Sequence, residues 1–239
     1  GLLIILIAIF FNMPPGLPGR SKKAERLTDW QSKDARINIL SLARLFLFGA
    51  RDVWFVVGVP IYFHSVLIES FVFSAREAFF IVGGFMALWV IAYGAVQASA
   101  PKLLKSSDKT LKQLVNSARQ WAALLTIVPG SLLIASLLIG NQVSWFAFIL
   151  TAGLLVFGAV FALNSAIHSF LILAFSNSSR VTMDVGFYYM SNAAGRLAGT
   201  LLSGLSFQVG GLNLCLLTAF TMCGFSWAIA ARMNMKFSD

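Results

Sequence analysis

The chain has 239 residues, of which 58% are hydrophobic and only 11% are charged, and its mean hydropathy is +0.81. Soluble domains contain about a quarter charged residues, so this composition excludes an ordinary soluble globular fold. Apolar runs recur along the whole sequence and predict a polytopic α-helical membrane protein. The net charge of +9 does not indicate a nucleic-acid partner, because most basic residues lie in short segments between apolar runs, where they set membrane topology.

The first 36 residues divide into an apolar stretch and a basic loop. Residues 1–12 are apolar but too short to cross a bilayer, so we expect them to be the end of a transmembrane helix that begins further upstream. Residues 13–36 are rich in proline and basic side chains, which predicts a cytoplasmic loop. Residues 37–239 would then be the six-helix C-terminal half of a larger protein.

Six membrane spans are predicted, with both ends of the six-helix half in the cytoplasm. The spans are 37–67, 75–98, 118–139, 143–175, 182–207 and 212–231. In this arrangement the cytoplasmic loops hold most of the lysine and arginine residues outside the spans, and the external loops hold only Arg76. This bias fixes the expected orientation in the lipid bilayer.

Glycine and proline mark the expected bends and ends of these spans. Gly58 and Pro60 are expected to bend the first span. Pro101 is expected to end the second span and Pro129 to kink the third. Gly210 and Gly211 are expected to turn the chain from the fifth span into the sixth.

The first span carries three charged side chains, Arg44, Arg51 and Asp52. A charge at the bilayer centre costs roughly 2.5–3.5 kcal/mol on insertion scales, so it needs a reason to be there. Arg44 is near the cytoplasmic start and is expected to reach lipid headgroups. Arg51 lies two turns deeper on the same face, and contact with an anionic ligand is favoured over a structural ion pair. Neighbouring helix residues point about 100° apart, so Asp52 is expected to reach another helix instead of Arg51.

The fifth span combines a polar stripe with small residues. The polar side chains recur every four residues, at Tyr188, Asn192, Arg196 and Thr200. Arg196 is expected either to bind ligand or to pair with an acid such as Asp52, and both alternatives stay open. The small residues that are expected to pack closely against another helix are Gly195, Gly199, Ser203 and Gly204.

Asn164 and His168 lie one turn apart on the fourth span. They are expected either to line a cavity or to form a hydrogen-bonded structural pair, and His168 is a candidate for proton coupling because an unperturbed histidine has a pKa near neutrality. The sequence has no Walker loop, nucleophile elbow or metal-ligand cluster, so we expect no enzymatic activity, cofactor or metal. The triplet Phe-Gly-Ala occurs at 48–50 and again at 157–159. Inverted three-helix repeats would produce such a relation, and so would chance.

Four stretches resemble the ArsJ family of organoarsenical efflux permeases, which belongs to the major facilitator superfamily. They are 43–60 (ARLFLFGARDVWFVVGVP), 83–94 (GGFMALWVIAYG), 161–169 (FALNSAIHS) and 185–204 (VGFYYMSNAAGRLAGTLLSG). The resemblance covers nearly all of the chain after the basic loop. It implies the C-terminal half of a twelve-helix transporter in a bacterial inner membrane, with the first and fourth spans lining the cavity.

The resemblance further implies export of an anionic organoarsenical, arseno-phosphoglycerate, by alternating access, which confers arsenate resistance. The partner would be the N-terminal six-helix half. The residues expected to contact the substrate are Arg51, Arg196, Asn164, His168, Tyr188 and Asn192, with Asp52 as a structural charge partner. Two alternatives stay open: exchange of sugar phosphates or phosphate, and a membrane scaffold that transports nothing.

Overall fold

The computed structural model describes residue 32 and residues 34–105, 108–141, 144–177 and 180–235. The stretch 1–12 and most of the loop 13–36 lie outside the described residues. Within them the chain forms α1 (Ala35–Phe55), α2 (Gly58–Glu69), α3 (Ala75–Leu104), α4 (Leu111–Ile139), α5 (Phe146–Phe175) and α6 (Val181–Met235). If α1 and α2 are taken together, five helical stretches are long and apolar enough to cross a membrane. This confirms the all-α class and fits an integral membrane protein.

The first predicted span is divided into α1 and α2 by a break at Val56 and Val57. Pro60 lies in the first turn of α2, where the backbone N–H that proline lacks would have no partner within the helix. The N–H of Val57 donates to Ser203 Oγ of α6 at 3.1 Å. The bend expected at Gly58 and Pro60 is therefore a helix break that begins just before Gly58.

Two helices extend further into the polar segment between them than the sequence predicts. The expectation that Pro101 ends the second span was wrong, because α3 continues through Pro101 to its last turn. Pro101 lies in the last turn, so a kink that it causes displaces only the few residues that follow it. α4 begins at Leu111, well before the predicted start at residue 118, because Thr110 and Gln113 form a capping box that satisfies first-turn N–H groups.

α6 contains two residues with non-helical backbone, Gly210 and Gly211. Gly211 has φ 59° and ψ −151°, a region that essentially only glycine adopts. Ser206 Oγ and Thr218 Oγ1 lie 3.2 Å apart. In a straight helix, residues twelve positions apart are separated by about 18 Å. The chain therefore reverses direction at Gly210 and Gly211, where the sequence predicts a turn.

Two apolar clusters fill the interior and leave a polar zone between them. Along α1, one cluster includes Ile37, Leu40 and Ala43, and the other begins at Leu47. Arg44 therefore falls between the two clusters. The outer surface is apolar as well: on α3, the side chains of Phe79, Leu88 and Ile91 are 67%, 68% and 68% exposed. Such an exposed apolar surface suits contact with lipid.

Candidate functional site

Glycines bring α1 and α6 into backbone contact next to the charged residues. A Cβ atom at Gly199 would lie 2.5 Å from the carbonyl oxygen of Gly49, and one at Gly195 would lie 2.8 Å from the carbonyl carbon of Leu45. Only glycine allows helices to approach this closely. The expectation that Gly204 belongs to this contact was wrong, because open space surrounds the position where its Cβ would be.

Asp52 lies beside this contact and forms two ion pairs. Its Oδ1 accepts from Arg51 Nε at 2.6 Å, and its Oδ2 accepts from Arg196 Nε at 3.2 Å. The second pair joins α1 to α6. The expectation that Arg51 and Asp52 do not pair was wrong, because the long arginine side chain folds back over its neighbour. The side chains of Asp52, Arg51 and Arg196 are 3%, 12% and 59% exposed.

Arg44 is 3% exposed, so the expectation that it reaches lipid headgroups was wrong. Its Nη1 donates to the hydroxyl of Tyr188 and to the carbonyl oxygen of Ser165. The guanidinium carbon lies 4.4 Å from the ring centroid of Phe48 and 4.3 Å from that of Tyr188. Since Ser165 belongs to α5 and Tyr188 to α6, the side chain of Arg44 lies in the interface of α1 with these two helices.

The buried charge of Arg44 lacks a counter-ion in the part of the chain that the structure describes. Its partners are a hydroxyl, a backbone carbonyl and aromatic rings, all neutral. Removing a cation from water costs several kcal/mol even after the protein relaxes. A desolvated cation–π contact returns about 2 kcal/mol. Arg44 therefore remains an under-compensated positive charge inside the bundle.

Asn164, Ser165 and His168 of α5 are fully buried. Ser165 and His168 lie near Arg44, and Asn164 is one helical turn before His168 on the same face of α5. The amide nitrogen and oxygen of Asn164, the hydroxyl of Ser165 and both ring nitrogens of His168 have no hydrogen-bond partner among the described residues. The Nε of Arg44 also lacks one. The alternative in which Asn164 and His168 form a hydrogen-bonded pair was therefore wrong. Buried polar atoms are rarely left unpaired, so this concentration marks an unusual region.

The polar stripe of α6 is only partly directed towards this region. Tyr188 is fully buried and contacts Arg44, and Arg196 contacts Asp52. Asn192 lies between them along the helix and is half-buried, with an Oδ1 that has no partner in the described structure. Thr200 is exposed.

Aromatic side chains that the sequence reasoning did not single out complete the site. The ring of Phe48 contacts both arginines of α1. Its centroid lies 4.4 Å from the guanidinium carbon of Arg44 and 5.1 Å from that of Arg51. The ring centroid of Phe161 of α5 lies 5.2 Å from the guanidinium carbon of Arg51. The ring centroid of Tyr93 of α3 lies 5.8 Å from that of Phe161. Phe48 lies four residues after Arg44 and three before Arg51, and this spacing is enough to predict from the sequence that its ring contacts both arginines. Phe161 and Tyr93 come from other helices and offer no such signal.

An apolar cavity between α2, α3 and α5 does not include these residues. It has a volume of about 310 Å³ and is lined by side chains of α2, α3 and α5, among them Phe63, Phe85 and Phe148. Among the described residues, no group of three or more histidine, cysteine, aspartate or glutamate side chains is arranged to hold a metal ion. Cys215 and Cys223 are free thiols in the interior.

No family model, curated protein or solved structure matches the chain.

Proposed function

We propose that the chain is the C-terminal half of a major facilitator transporter that exports a small organic anion across a bacterial inner membrane by alternating access. The sequence resemblance makes arseno-phosphoglycerate the proposed substrate and arsenate resistance the proposed result. A second six-helix half, upstream in the full-length protein, would complete the transport cavity.

An excess of positive charge inside the helix bundle carries this proposal. Asp52 pairs with both Arg51 and Arg196, and Arg44 has no acidic partner within the described residues. Ionisable side chains in membrane spans are costly and commonly mark solute pathways. A guanidinium group binds phosphate-like or arsenate-like oxyanions through two parallel N–H donors and stays charged at any working pH. An anionic substrate would balance the charge that the protein leaves uncompensated.

The proposed roles follow from these contacts. Arg51 and Arg196 attract the anion and exchange part of their interaction with Asp52 for it. The surrounding side chains that supply hydrogen bonds are Asn164, His168, Tyr188 and Asn192. Since Asp52 links α1 to α6, an anion that competes for its arginines would also loosen this link, which couples binding to helix movement.

Two features support the transporter architecture. The chain reversal within α6 would let this segment cross the membrane twice, giving six spans. In addition, Gly49 of the first span contacts the fifth span, and a Cβ at Gly158 of the fourth span would lie 2.9 Å from Trp89 of the second. These contacts are equivalent if spans one and four, and spans two and five, correspond. Inverted three-helix repeats have this relation.

Arsenate tolerance tests the proposal in cells that make the arseno-ester and express the full-length protein. We expect Arg51→Ala to lower both tolerance and measured efflux at least tenfold. Arg76→Ala removes an exposed arginine at the start of α3 and serves as the control, with tolerance and efflux unchanged. Unaltered tolerance and efflux in Arg51→Ala would reject an anion role for this residue.

Two further measurements separate the alternatives. Counterflow in vesicles distinguishes export of the arsenical from exchange of ordinary sugar phosphates or phosphate. Arg51→Lys distinguishes a transporter from a scaffold, since lysine keeps the charge but loses the bidentate fork. A transporter loses substrate selectivity in this variant and stays folded, whereas a scaffold is expected to lose stability.

A further inference from the structure

The Arg44 cluster consists of Arg44, Asn164, Ser165, His168 and Tyr188. We infer that this cluster binds the oxyanion of a hydroxylated organic anion and is the principal anion-binding position of the chain. The inference rests on the proposed transport function and deepens it, because it specifies where the substrate binds and which chemical class fits.

The distribution of charge favours Arg44 over the other arginines. Asp52 already compensates part of the charge of both Arg51 and Arg196. Arg44 is more deeply buried than either and has only neutral partners among the described residues. A negatively charged ligand therefore gains the most electrostatic free energy next to Arg44, where the surroundings are apolar and no carboxylate competes.

The unpaired hydrogen-bonding atoms indicate the class of ligand. Unpaired donors are the Nε–H of Arg44, the amide of Asn164 and the hydroxyl of Ser165. Unpaired acceptors are the amide oxygen of Asn164 and one ring nitrogen of neutral His168. An oxyanion without O–H groups, such as sulfate, offers acceptors only, so it would leave the acceptors of the cluster unpaired. A ligand that joins an oxyanion to hydroxyl groups can pair both kinds of atom.

The cluster is close to an accessible surface although its own atoms are buried. Tyr189 is 52% exposed, and its ring centroid lies 5.9 Å from the guanidinium carbon of Arg44. The ring of Tyr189 also lies 5.4 Å from the ring of Tyr188. One aromatic side chain thus separates the cluster from the surface of α6. The burial of Arg44 favours a small soluble ligand over a lipid headgroup carrying the same phosphate chemistry.

Titration calorimetry on the purified full-length protein tests this inference, with 3-phosphoglycerate and sulfate as probes. We expect 3-phosphoglycerate to bind at least tenfold more tightly. Arg44→Gln should weaken both ligands at least tenfold, and Asn164→Leu should weaken 3-phosphoglycerate more than sulfate, because only a ligand with a hydroxyl group can use the amide oxygen as well as the amide N–H. Tyr62→Phe removes another buried hydroxyl that has no partner in the described structure, and should leave both affinities unchanged.

A pair of isosteric substitutions tests the missing counter-ion without removing Arg44. His168→Glu places a carboxylate near Arg44, and His168→Gln has nearly the same shape without the charge. If Arg44 has no counter-ion until a ligand binds, the new carboxylate will supply one. His168→Glu will then melt at a higher temperature than His168→Gln and will bind neither probe. A lower melting temperature for His168→Glu than for His168→Gln would overturn the inference.

Three other results would overturn it: equal affinity of the wild-type protein for both probes, unchanged binding in Arg44→Gln, or displacement of 3-phosphoglycerate by vesicles of anionic phospholipid. These results are distinguishable from failure of the proposed function. Absence of substrate efflux by the wild-type protein rejects the proposed function itself. Normal efflux that survives Arg44→Gln rejects only the role of the Arg44 cluster.

Discussion

At Asp52, a single buried carboxylate serves two arginines that differ greatly in exposure. Arg51 has a side chain that is 12% exposed, whereas that of Arg196 is 59% exposed. Water and salt screen an exposed ion pair strongly, so equal geometry does not give equal stability. The pair within α1 should therefore contribute more to the folded state than the pair between α1 and α6.

This difference predicts unequal effects of removing each arginine. Arg51→Gln should lower the free energy of unfolding by about 3 kcal/mol, because it weakens a buried ion pair. Arg196→Gln should lower it by less than about 1 kcal/mol. Chemical denaturation in detergent micelles measures both values. Adding 0.5 M salt should reduce the effect of Arg196→Gln and leave that of Arg51→Gln nearly unchanged, and the opposite salt dependence would contradict this assignment.

For single residues, the sequence identifies the charged side chains that are unusual in a membrane span, but it does not predict which residues they contact. Arg44 and Arg51 share a helix face, and that could be read from their spacing. Whether Arg44 turns to the membrane surface or into the bundle depends on Tyr188 and Ser165, which are distant in sequence. The pairing of Arg51 with Asp52 was missed because residue spacing describes Cβ directions and ignores the reach of a long side chain.

Among the helices, the glycine contact between α1 and α6 decides the geometry of the ion pairs. A Cβ at Gly199 would lie 2.9 Å from the Cα of Gly49 and 3.1 Å from the Cβ of Asp52. The neighbouring backbone cannot yield as a flexible side chain can. An added methyl group must therefore push the helices apart and move Arg196 away from Asp52.

We expect Gly199→Ala to destabilise the protein by about 1–3 kcal/mol through overpacking. Gly204→Ala, one turn further along the same helix, adds the same methyl group to open space and serves as the matched control. Alanine favours a helix more than glycine does, so the control should be neutral or slightly stabilising. Thermal unfolding followed by circular dichroism compares the two variants. Equal melting temperatures would show that the helices do not touch at Gly199.

The turn within α6 makes a separate prediction about backbone conformation. Gly211→Ala should cost about 1–3 kcal/mol, because φ 59° with ψ −151° is strained for any residue with a Cβ. No atom lies within 4 Å of the added methyl group, so the cost is conformational and not steric. Gly224→Ala also adds a methyl group to open space, but without a positive φ, and should be harmless. The melting temperatures of the two variants measure this difference.

Most helix positions follow from the apolar runs, while the helix ends depend on local chemistry. The end of α5 at Phe175 was predicted, because the apolar run stops there. The start of α4 was placed too late, because hydropathy gives no weight to the capping box at Thr110 and Gln113. The extension of α3 through Pro101 was missed because a proline near a helix end is tolerated.

For the whole molecule, the number of membrane crossings depends on the chain reversal at Gly210 and Gly211. If the chain turns back there, the start and the end of α6 lie on the same side of the membrane. If α6 were one straight span, they would lie on opposite sides. The sequence predicts the turn from two adjacent glycines, and the contact between Ser206 and Thr218 supports it.

Labelling of single cysteines in intact cells tests this topology. In a background with Cys215→Ala and Cys223→Ala, an impermeant maleimide should label Ser74→Cys, the exposed N-cap of α3, from outside. Arg180→Cys and Arg232→Cys should both be labelled only after the cells are permeabilised. Labelling of one of these two from outside and the other from inside would contradict six spans.

The backbone contact between α1 and α6 has a mechanical consequence. Because α1 and α6 touch through Gly49, Gly195 and Gly199, neither helix can rotate about its own axis without collision. The two helices therefore move as one rigid unit. We expect flexibility at the break at Val56 and Val57, where the N–H of Val57 donates to Ser203 of α6 instead of to a carbonyl of its own helix. Motion that opens one membrane face would be absorbed there, while the glycine contact keeps the backbones of α1 and α6 together when an anion loosens the pair between Asp52 and Arg196.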